Sequence, residues 1–525
     1  MSVLDYIWLG ILAVFQGPEA FVIFGLAISI TVVMVVSGFF LGILVGATPG
    51  LAGPVAMAIS LPILISTFGY NTDALLPVLG FLIGVMKGAT VGGAVPAILF
   101  NTPGTPDAFM TTLDGYPMAK RGEAKRALRI AHFSSVSGDT FSDLVLIIGA
   151  PFLAIMVERY LDLPEKTALL ILSLSFISAV VGGSVGRGLI STGLGLLAVY
   201  VGTGEDFYPR LSMGTQTLAQ GFPIATSVLG VLIIGAVFKE LDDLRSEQRA
   251  SRMKPITTSE TNSALTLAER IQLAPTIFRS AVIGTVVGAL PGIGSTLAAT
   301  LGYTAAKRRH DDAEGGKFGE GVPKGIAATE AANSAVSGAN LMPVLSLGIP
   351  GNAAAVFLLL AMDSISGFNP SPTVFKFDPV NLNPELVMAF GIFTTMFLAN
   401  ALNWTVGGRV MRSMGFMIRI PKHILLPSVL LLTLTAIYVQ ETRIEALYFA
   451  LGFGVLGYLM RVFGISPLPF VIAFILGAKL EETARQAYAA TGNDPWFLFT
   501  HPIAAVFVAV SVGVMILTSR KRGSV

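Results

Sequence analysis

The 525-residue chain contains no cysteine, four histidines and three tryptophans, and only 13% of it is charged. Without cysteine there are no disulfides, no thiolate metal sites and no thiol nucleophile. The four histidines are scattered and show no metal-ligand spacing. No His-Glu-x2-His or Gly-x4-Gly-Lys-Ser/Thr pattern occurs. The chain is therefore read as no enzyme and as no nucleotide-driven pump. It has no basic patch with interleaved aromatics of the kind that binds nucleic acid. Met1 to Gln16 lacks a basic start and a small-residue cleavage site, so it does not read as a signal peptide.

Apolar sequence fills the gap. Hydrophobic residues make up 53% of the chain and mean hydropathy is +0.74. Soluble domains carry roughly 25% charged residues, so the expected fold is an all-α polytopic membrane protein. Leu4, Ile7, Trp8, Ile11 and Phe15 recur at helical spacing and read as an interfacial helix, with a short first span as the alternative. Apolar stretches then run from Phe21 to Ala47, Leu51 to Phe68 and Ala74 to Phe100, and on to Ile503–Leu517. They suggest about twelve transmembrane segments, given the ~20 residues one crossing needs. Trp8, Trp404 and Trp496 read as interfacial belt residues.

Four of these stretches are interrupted. The central break is Leu290-Pro291-Gly292-Ile293-Gly294-Ser295-Thr296, and an earlier copy reads Thr48-Pro49-Gly50. Gly42, Gly46, Pro49 and Gly50 fall in step with Gly284, Gly288, Pro291 and Gly292. A second break, Asn101-Thr102-Pro103-Gly104-Thr105-Pro106, follows in the first half, and Gly348-Ile349-Pro350-Gly351-Asn352 follows in the second. Pro96 and Pro103 match Pro343 and Pro350. In hydrocarbon a broken backbone has to be buried in protein or line a cavity, so paired breaks point to a transport site built from broken or re-entrant helices.

Loop charge relates the halves. Phe68 to Asp73 has no Lys or Arg, whereas its counterpart carries Lys307, Arg308, Arg309, Lys317 and Lys324. After the next break the bias reverses: Lys120, Arg121, Lys125, Arg126 and Arg129 stand against Lys376 alone. Basic loops stay cytoplasmic, so the copies read as two inverted-topology repeats, with Arg520, Lys521 and Arg522 setting the C-terminus inside. The expected organisation is an N-terminal interfacial helix (1–18), a first repeat half (19–238), a cytoplasmic linker (239–274), a second repeat half (275–480), and a last span with a basic cytoplasmic tail (481–525).

Several long motifs in order resemble the large membrane subunit of the tripartite tricarboxylate transporter family, the TctA type. They include Gly42-x3-Gly46-x2-Pro49-Gly50-Leu51, Ala97 to Pro106, Leu113-Asp114-Gly115-Tyr116-Pro117-Met118-Ala119 and Pro209 to Gly214. The second half adds Gly288 to Gly292, Phe318-Gly319-Glu320-Gly321, Glu330-Ala331-Ala332-Asn333 and Leu347 to Gly351. The resemblance covers roughly residues 21–440. Thr329, Ser334, Ser371 and Lys87 depart from the usual pattern, and Lys87 is the departure that bears on which solute is accepted. The resemblance implies a permease of the bacterial inner (plasma) membrane, driven by an ion gradient. It implies a small four-span membrane subunit and a periplasmic solute-binding protein as partners, and a di- or tricarboxylate or related organic anion as solute. No cofactor is implied; Na+ or H+ is the coupling ion. A stand-alone carboxylate or anion symporter without a binding protein is the alternative, and a passive channel or an intramembrane enzyme are further rivals.

The candidate solute site is the set of four breaks: Thr48, Pro49 and Gly50; Asn101, Thr102, Pro103, Gly104 and Thr105; Pro291, Gly292, Gly294, Ser295 and Thr296; Pro350, Gly351 and Asn352. Helix starts after each break offer free N–H groups and a positive dipole end to a carboxylate. Carbonyls and neutral oxygens near the breaks suit Na+, with its ligands left open. Four structural kinks are the alternative. Lys87, deep in an apolar run, reads either as a partner for a solute carboxylate or as a side chain that snorkels or pairs with Asp107 or another acid. Glu330 and Asn333, one turn apart with Ser337 and Asn340 on the same face, are candidates for ion coupling, with helix capping near a loop as the alternative. Asp139 and Asp143 border a span and read as interfacial; Arg187 and Arg210 read as loop anchors, with contact to a partner subunit or the solute as the alternative.

Overall fold

The computed structural model describes all residues except 1, 24, 49–50, 104, 182–183, 204–207, 248–263, 291–293, 311–315, 366–367, 379, 415–421 and 523–525. Helix α1 (Val3–Phe15) starts at a capping box, in which the Ser2 hydroxyl accepts the Asp5 N–H and the Asp5 carboxylate accepts the Ser2 N–H. The apolar run from Phe21 is not helical at its start. It forms a hairpin of β1 (Glu19–Ile23) and antiparallel β2 (Leu26–Ser29), because Phe21, Val22 and Ile28 favour extended backbone and Gly25, at φ 81°, turns it. Ser29 then caps α2 (Ile30–Gly46) by accepting the Val32 N–H. At 17 residues α2 rises about 25 Å, short of a bilayer core of ~30 Å.

The chain continues through α3 (Gly53–Phe68), α4 (Leu75–Phe100), α5 (Phe109–Met118) and α6 (Ala124–Tyr160). Next come α7 (Leu163–Val181), α8 (Val185–Val199), a second hairpin Gly202–Thr203/Pro209–Arg210, α9 (Gln216–Ala219), α10 (Ile224–Leu229) and α11 (Gly235–Glu247). The second half holds α12 (Leu267–Ala289), α13 (Gly294–Lys307), α14 (Pro323–Ala339), α15 (Leu341–Leu347), α16 (Ala353–Ser364), α17 (Pro384–Leu402) and α18 (Gly408–Ser413). Helices α19 (Lys422–Glu441), α20 (Ile444–Val462), α21 (Pro467–Ala490), α22 (Phe497–Thr500) and α23 (Pro502–Arg522) complete it. Among the described residues, nine helical stretches are long and apolar enough to cross a membrane, and five shorter apolar helices, α2, α3 and α16 among them, are not. Ile148, Phe152, Leu431 and Leu517 are exposed, as apolar side chains facing lipid are.

Contacts divide the chain into two units that each draw on both halves of the sequence. One gathers Met1–Ala154, Arg249–Leu290 and Gly294–Leu425; the other contains Ile155–Gln248 and Leu426–Val525. In the first unit α2 lies directly on α4. A Cβ on Gly42 or Gly46 would stand 2.4 Å from Val85 O or 2.3 Å from Ala89 O, and one on Gly88 would stand 2.2 Å from Phe39 O. Glycine is what lets these backbones touch. The same contact recurs between α12 and α14, where a Cβ on Gly284 would meet Ala332 O at 2.2 Å. Helix α1 buries Tyr6, Gly10 and Val14 and packs on α17, and the Tyr6 hydroxyl accepts the Asn383 N–H at 3.1 Å.

In the second unit α7, α8, α21 and α23 form one group, and α10 and α11 pack on α20. Arg461 donates to Val231 O and Leu232 O at 2.8 Å each, satisfying carbonyls that a π-turn at Gly230–Ile234 frees between α10 and α11. Arg210 anchors the second hairpin to α21 through Glu481 at 2.8 Å and lies over the Tyr200 ring, in keeping with its reading as a loop anchor.

Candidate functional site

The second and fourth breaks share one geometry. Helix α4 ends in Asn101 at φ 55° and α15 in Gly348 at φ 67°, both left-handed. One residue on, Thr102 N–H donates to Pro96 O at 3.3 Å and Ile349 N–H to Pro343 O at 3.2 Å. These are matching terminations, with a bond reaching back past the helix end to satisfy a last carbonyl. The flanks of the first and third breaks match as well. Thr48 N–H donates to Val45 O at 3.0 Å, and Leu290 N–H to Val287 O at 3.2 Å. Pro49, Gly50, Gly104, Pro291 and Gly292 lie outside the described residues.

Several predicted ligands already hold backbone. Thr48 Oγ1 donates to Leu44 O at 2.9 Å, Thr102 Oγ1 to Phe100 O at 3.0 Å, and Asn352 Oδ1 accepts the Ala355 N–H at 2.9 Å as the cap of α16. A hydroxyl that donates still has lone pairs to offer a cation or a donor. Thr48, Thr105, Pro350 and Gly351 are buried, Pro103, Gly294, Ser295 and Asn352 half-buried, and Asn101, Thr102 and Thr296 exposed. All of them belong to the first unit.

Within that unit the broken segments meet crosswise. Helix α13, after the third break, packs on the 3-10 turn Pro106–Ala108 that follows the second. Helix α16, after the fourth, packs on α3, which follows the first. Thr296 Oγ1 donates to Asp107 Oδ1 at 2.7 Å. Asp107 thus sits beside the start of α13, where a negative charge is favoured, and gives that helix end an acid of its own.

Lys87 does not reach Asp107. Its ammonium lies 2.8 Å from Asp139 Oδ1 and 2.8 Å from Asp143 Oδ2, with all three side chains buried. Asp139 and Asp143 are therefore not interfacial. Helix α6 runs unbroken from Ala124 and carries them into the interior, one turn apart on the face that meets α4 and α14. Ser337 of α14 donates to Asp139 Oδ1, and Asn400 of α17 donates to Asp143 Oδ2 at 2.6 Å. Sequence reasoning missed Asn400, a lone amide inside an apolar helix. Part of the signal for the rest was present: Lys87 stands in an otherwise apolar run, and a buried base needs an acid.

Glu330 lies mid-way along α14 and is fully buried, so it does not cap a helix at a loop. Thr111 donates to its Oε1, Ser135 and Ser334 share a hydrogen bond beside it, and Oε2 has no partner among the described residues. Asn333 is buried one turn on. No predicted site residue lines the open cleft of about 560 Å³ between Met362 and Glu385.

Two of the sequence motifs turn out to be partners. Asp114 Oδ1 accepts the backbone N–H of Gly319 at 2.9 Å, Gly321 at 2.9 Å and Val322 at 2.8 Å. Arg121 adds a bond to Glu320 O at 2.7 Å. The Leu113–Ala119 and Phe318–Gly321 segments, one from each half, are thereby fixed to one another at the start of α14.

Residues 32–472 match the family described as Tripartite tricarboxylate transporter TctA family. An uncharacterised 52.8 kDa protein of Agrobacterium vitis, described by its place in the TAR-I ttuC′ 3′ region, is 30% identical over 483 residues, covering 91% of each chain. A second uncharacterised Agrobacterium vitis protein, from the TAR-II ttuC′ 3′ region, is 28% identical over 234 residues, 45% of this chain and 93% of its own. No solved structure matches. With the family match running over most of the chain and across both sets of breaks, the protein belongs to the tripartite tricarboxylate transporter TctA family, a family of membrane transporters and not of enzymes.

Proposed function

We propose that the chain is the permease of a binding-protein-dependent secondary transporter, importing a di- or tricarboxylate or related organic anion by cation symport. The crosswise meeting of the four broken segments carries this reading. Elements that follow the breaks in one half pack on elements that follow the breaks in the other, as a site between two repeats requires. Matching terminations at Asn101 and Gly348, and the repeated Gly42/Val85 and Gly284/Ala332 contacts, support the repeat. The reversed loop charges support its inversion, and the basic tail Arg520, Lys521 and Arg522 supports a C-terminus in the cytoplasm of a bacterial cell.

The solute's carboxylates bind at the helix starts after the breaks, and the coupling cation, Na+ or H+, binds among carbonyls near the breaks or at buried Glu330 and Asn333. A small four-span subunit and a periplasmic binding protein complete the system, and the solute crosses by an elevator-like shift of one part of each repeat. The experiment is uptake of radiolabelled di- and tricarboxylates into vesicles holding both membrane subunits, with binding protein added or withheld and Na+ and pH varied. Uptake that needs the binding protein and a cation gradient supports the reading. Equal uptake without binding protein supports the stand-alone symporter, and equilibration without any gradient makes the protein a channel.

A further inference from the structure

We propose that the buried Lys87–Asp139–Asp143 group takes up and gives back one proton in each transport cycle, with Asp143 as the carrier. The proposal rests on the symport reading above, takes H+ as its cation and places that proton at this group in preference to the breaks or Glu330 and Asn333.

Charge count is the first argument. One ammonium faces two carboxylates in a place where Lys87 and Asp143 are each 1% exposed and Asp139 3%. With both acids ionised the group holds one uncompensated negative charge out of reach of water, which is strongly disfavoured. Hydrogen bonding is the second argument. Asp139 Oδ1 accepts from Lys87 and Ser337, and Asp143 Oδ2 from Lys87 and Asn400. Asp143 Oδ1 and Asn400 Oδ1, both buried, have no partner among the described residues. A proton on Asp143 Oδ1 cancels the excess charge and leaves every existing bond in place.

A metal cation fits poorly. The ammonium already stands between the carboxylates at 2.8 Å from each. Asp143 Oδ1 is pressed against Gly338, where an added Cβ would stand 2.3 Å from it, so there is no room for the several oxygens a hard cation gathers. The nearest further buried acid on these elements is Glu330, two turns before Ser337 on α14, and it is bonded to Thr111 and not to this group. The group is faced by Lys87 from α4, Asp139 and Ser142 from α6 itself, Ser337 and Gly338 from α14, and Asn400 from α17. His132, further back on α6, faces the Asn403 backbone and amide.

These contacts join α4 and α6 of the first half to α14 and α17 of the second. The proton enters from the more acidic side, binds Asp143 Oδ1 and leaves to water on the other side. While Asp143 is neutral, Lys87 has one charged partner, Asp139; when the proton leaves, it is drawn to both. Proton occupancy thereby biases how the four helices are held, which is the differential interaction a coupled conformational change requires.

Asp143→Asn imitates the protonated state and keeps the group neutral. The test is accumulation of a labelled carboxylate in vesicles with both membrane subunits and binding protein, Na+ equal on the two sides and only the pH gradient varied. The wild type is expected to accumulate solute when the outside is acidic, and Asp143→Asn to lose at least tenfold of that accumulation while still exchanging internal for external solute. Asp143→Glu, which keeps the titrating group, is expected to accumulate with a shifted pH midpoint, and it serves if the Asn variant does not fold. Wild-type accumulation indifferent to the pH gradient, full accumulation by Asp143→Asn, or an unshifted midpoint in Asp143→Glu overturns the proposal. Failure of the wild type to exchange any carboxylate instead overturns the symport reading beneath it.

Discussion

Gly321 N–H donates to Asp114 Oδ1 at 2.9 Å across a sequence separation of 207 residues. This bond and its neighbours from Gly319 and Val322 converge on one carboxylate oxygen, so the loop before α14 is threaded onto α5 and not merely laid beside it. The neighbouring glycine at 325 leaves no space for a side chain: an added Cβ would stand 2.0 Å from Asp114 Oδ2.

Asp114→Ala strands those three N–H groups, two of whose bonds are buried. Each bond to a charged acceptor is worth roughly 1.5–3 kcal/mol. The variant is expected to lower the melting temperature in detergent by several degrees and to expose the 316–322 segment to protease. Unchanged melting would show that the loop has another anchor.

Lys87→Met leaves two buried carboxylates facing each other without their cation. Breaking a buried pair in this way costs about 3–5 kcal/mol. Adding Asp139→Asn and Asp143→Asn is expected to restore most of the loss, a strongly non-additive set readable by thermal melting. If the three changes simply add, the residues do not act as one group.

Gly88→Val pushes a side chain into the Phe39 carbonyl, which an ideal Cβ would already meet at 2.2 Å. Overpacking of this kind costs about 1–3 kcal/mol or more. Gly193→Ala, on α8 with nothing within 4 Å, is the matched control and is expected to be neutral or slightly stabilising.

Arg210 holds the Glu481 carboxyl below its ordinary value, chiefly through their hydrogen bond, with Arg485 assisting. A carboxylate whose folded value is depressed contributes stability above its unfolded value of about 4.3 and loses it as pH falls through the lower folded value. The melting difference between wild type and Glu481→Gln, about 1 kcal/mol at most for a partly exposed pair, is therefore expected at neutral pH and to vanish in acid. A difference that persists at pH 2 would mean packing and not charge.

The sequence carried the helical class and the helix ends at Asn101 and Gly348, because Pro-Gly in an apolar run is a local signal. It misjudged the start of α2, where β-branched residues in a hairpin are indistinguishable from an apolar helix by hydropathy alone. It misread Asp139 and Asp143 because their burial is decided by α4, α14 and α17, distant elements whose positions no local pattern encodes. Asp107, a possible partner for Lys87 on sequence, instead pairs with Thr296, which depends on how two segments from opposite halves cross.

Where α2 meets α4, peptide groups rest on peptide groups along three successive turns, at Gly38, Gly42 and Gly46. Such surfaces have no flexible side chains to act as bearings, and sliding one past the other means jumping a whole helical turn of ~5.4 Å. The pair is a strut. Whatever travels during transport, these two helices travel together or stay behind together.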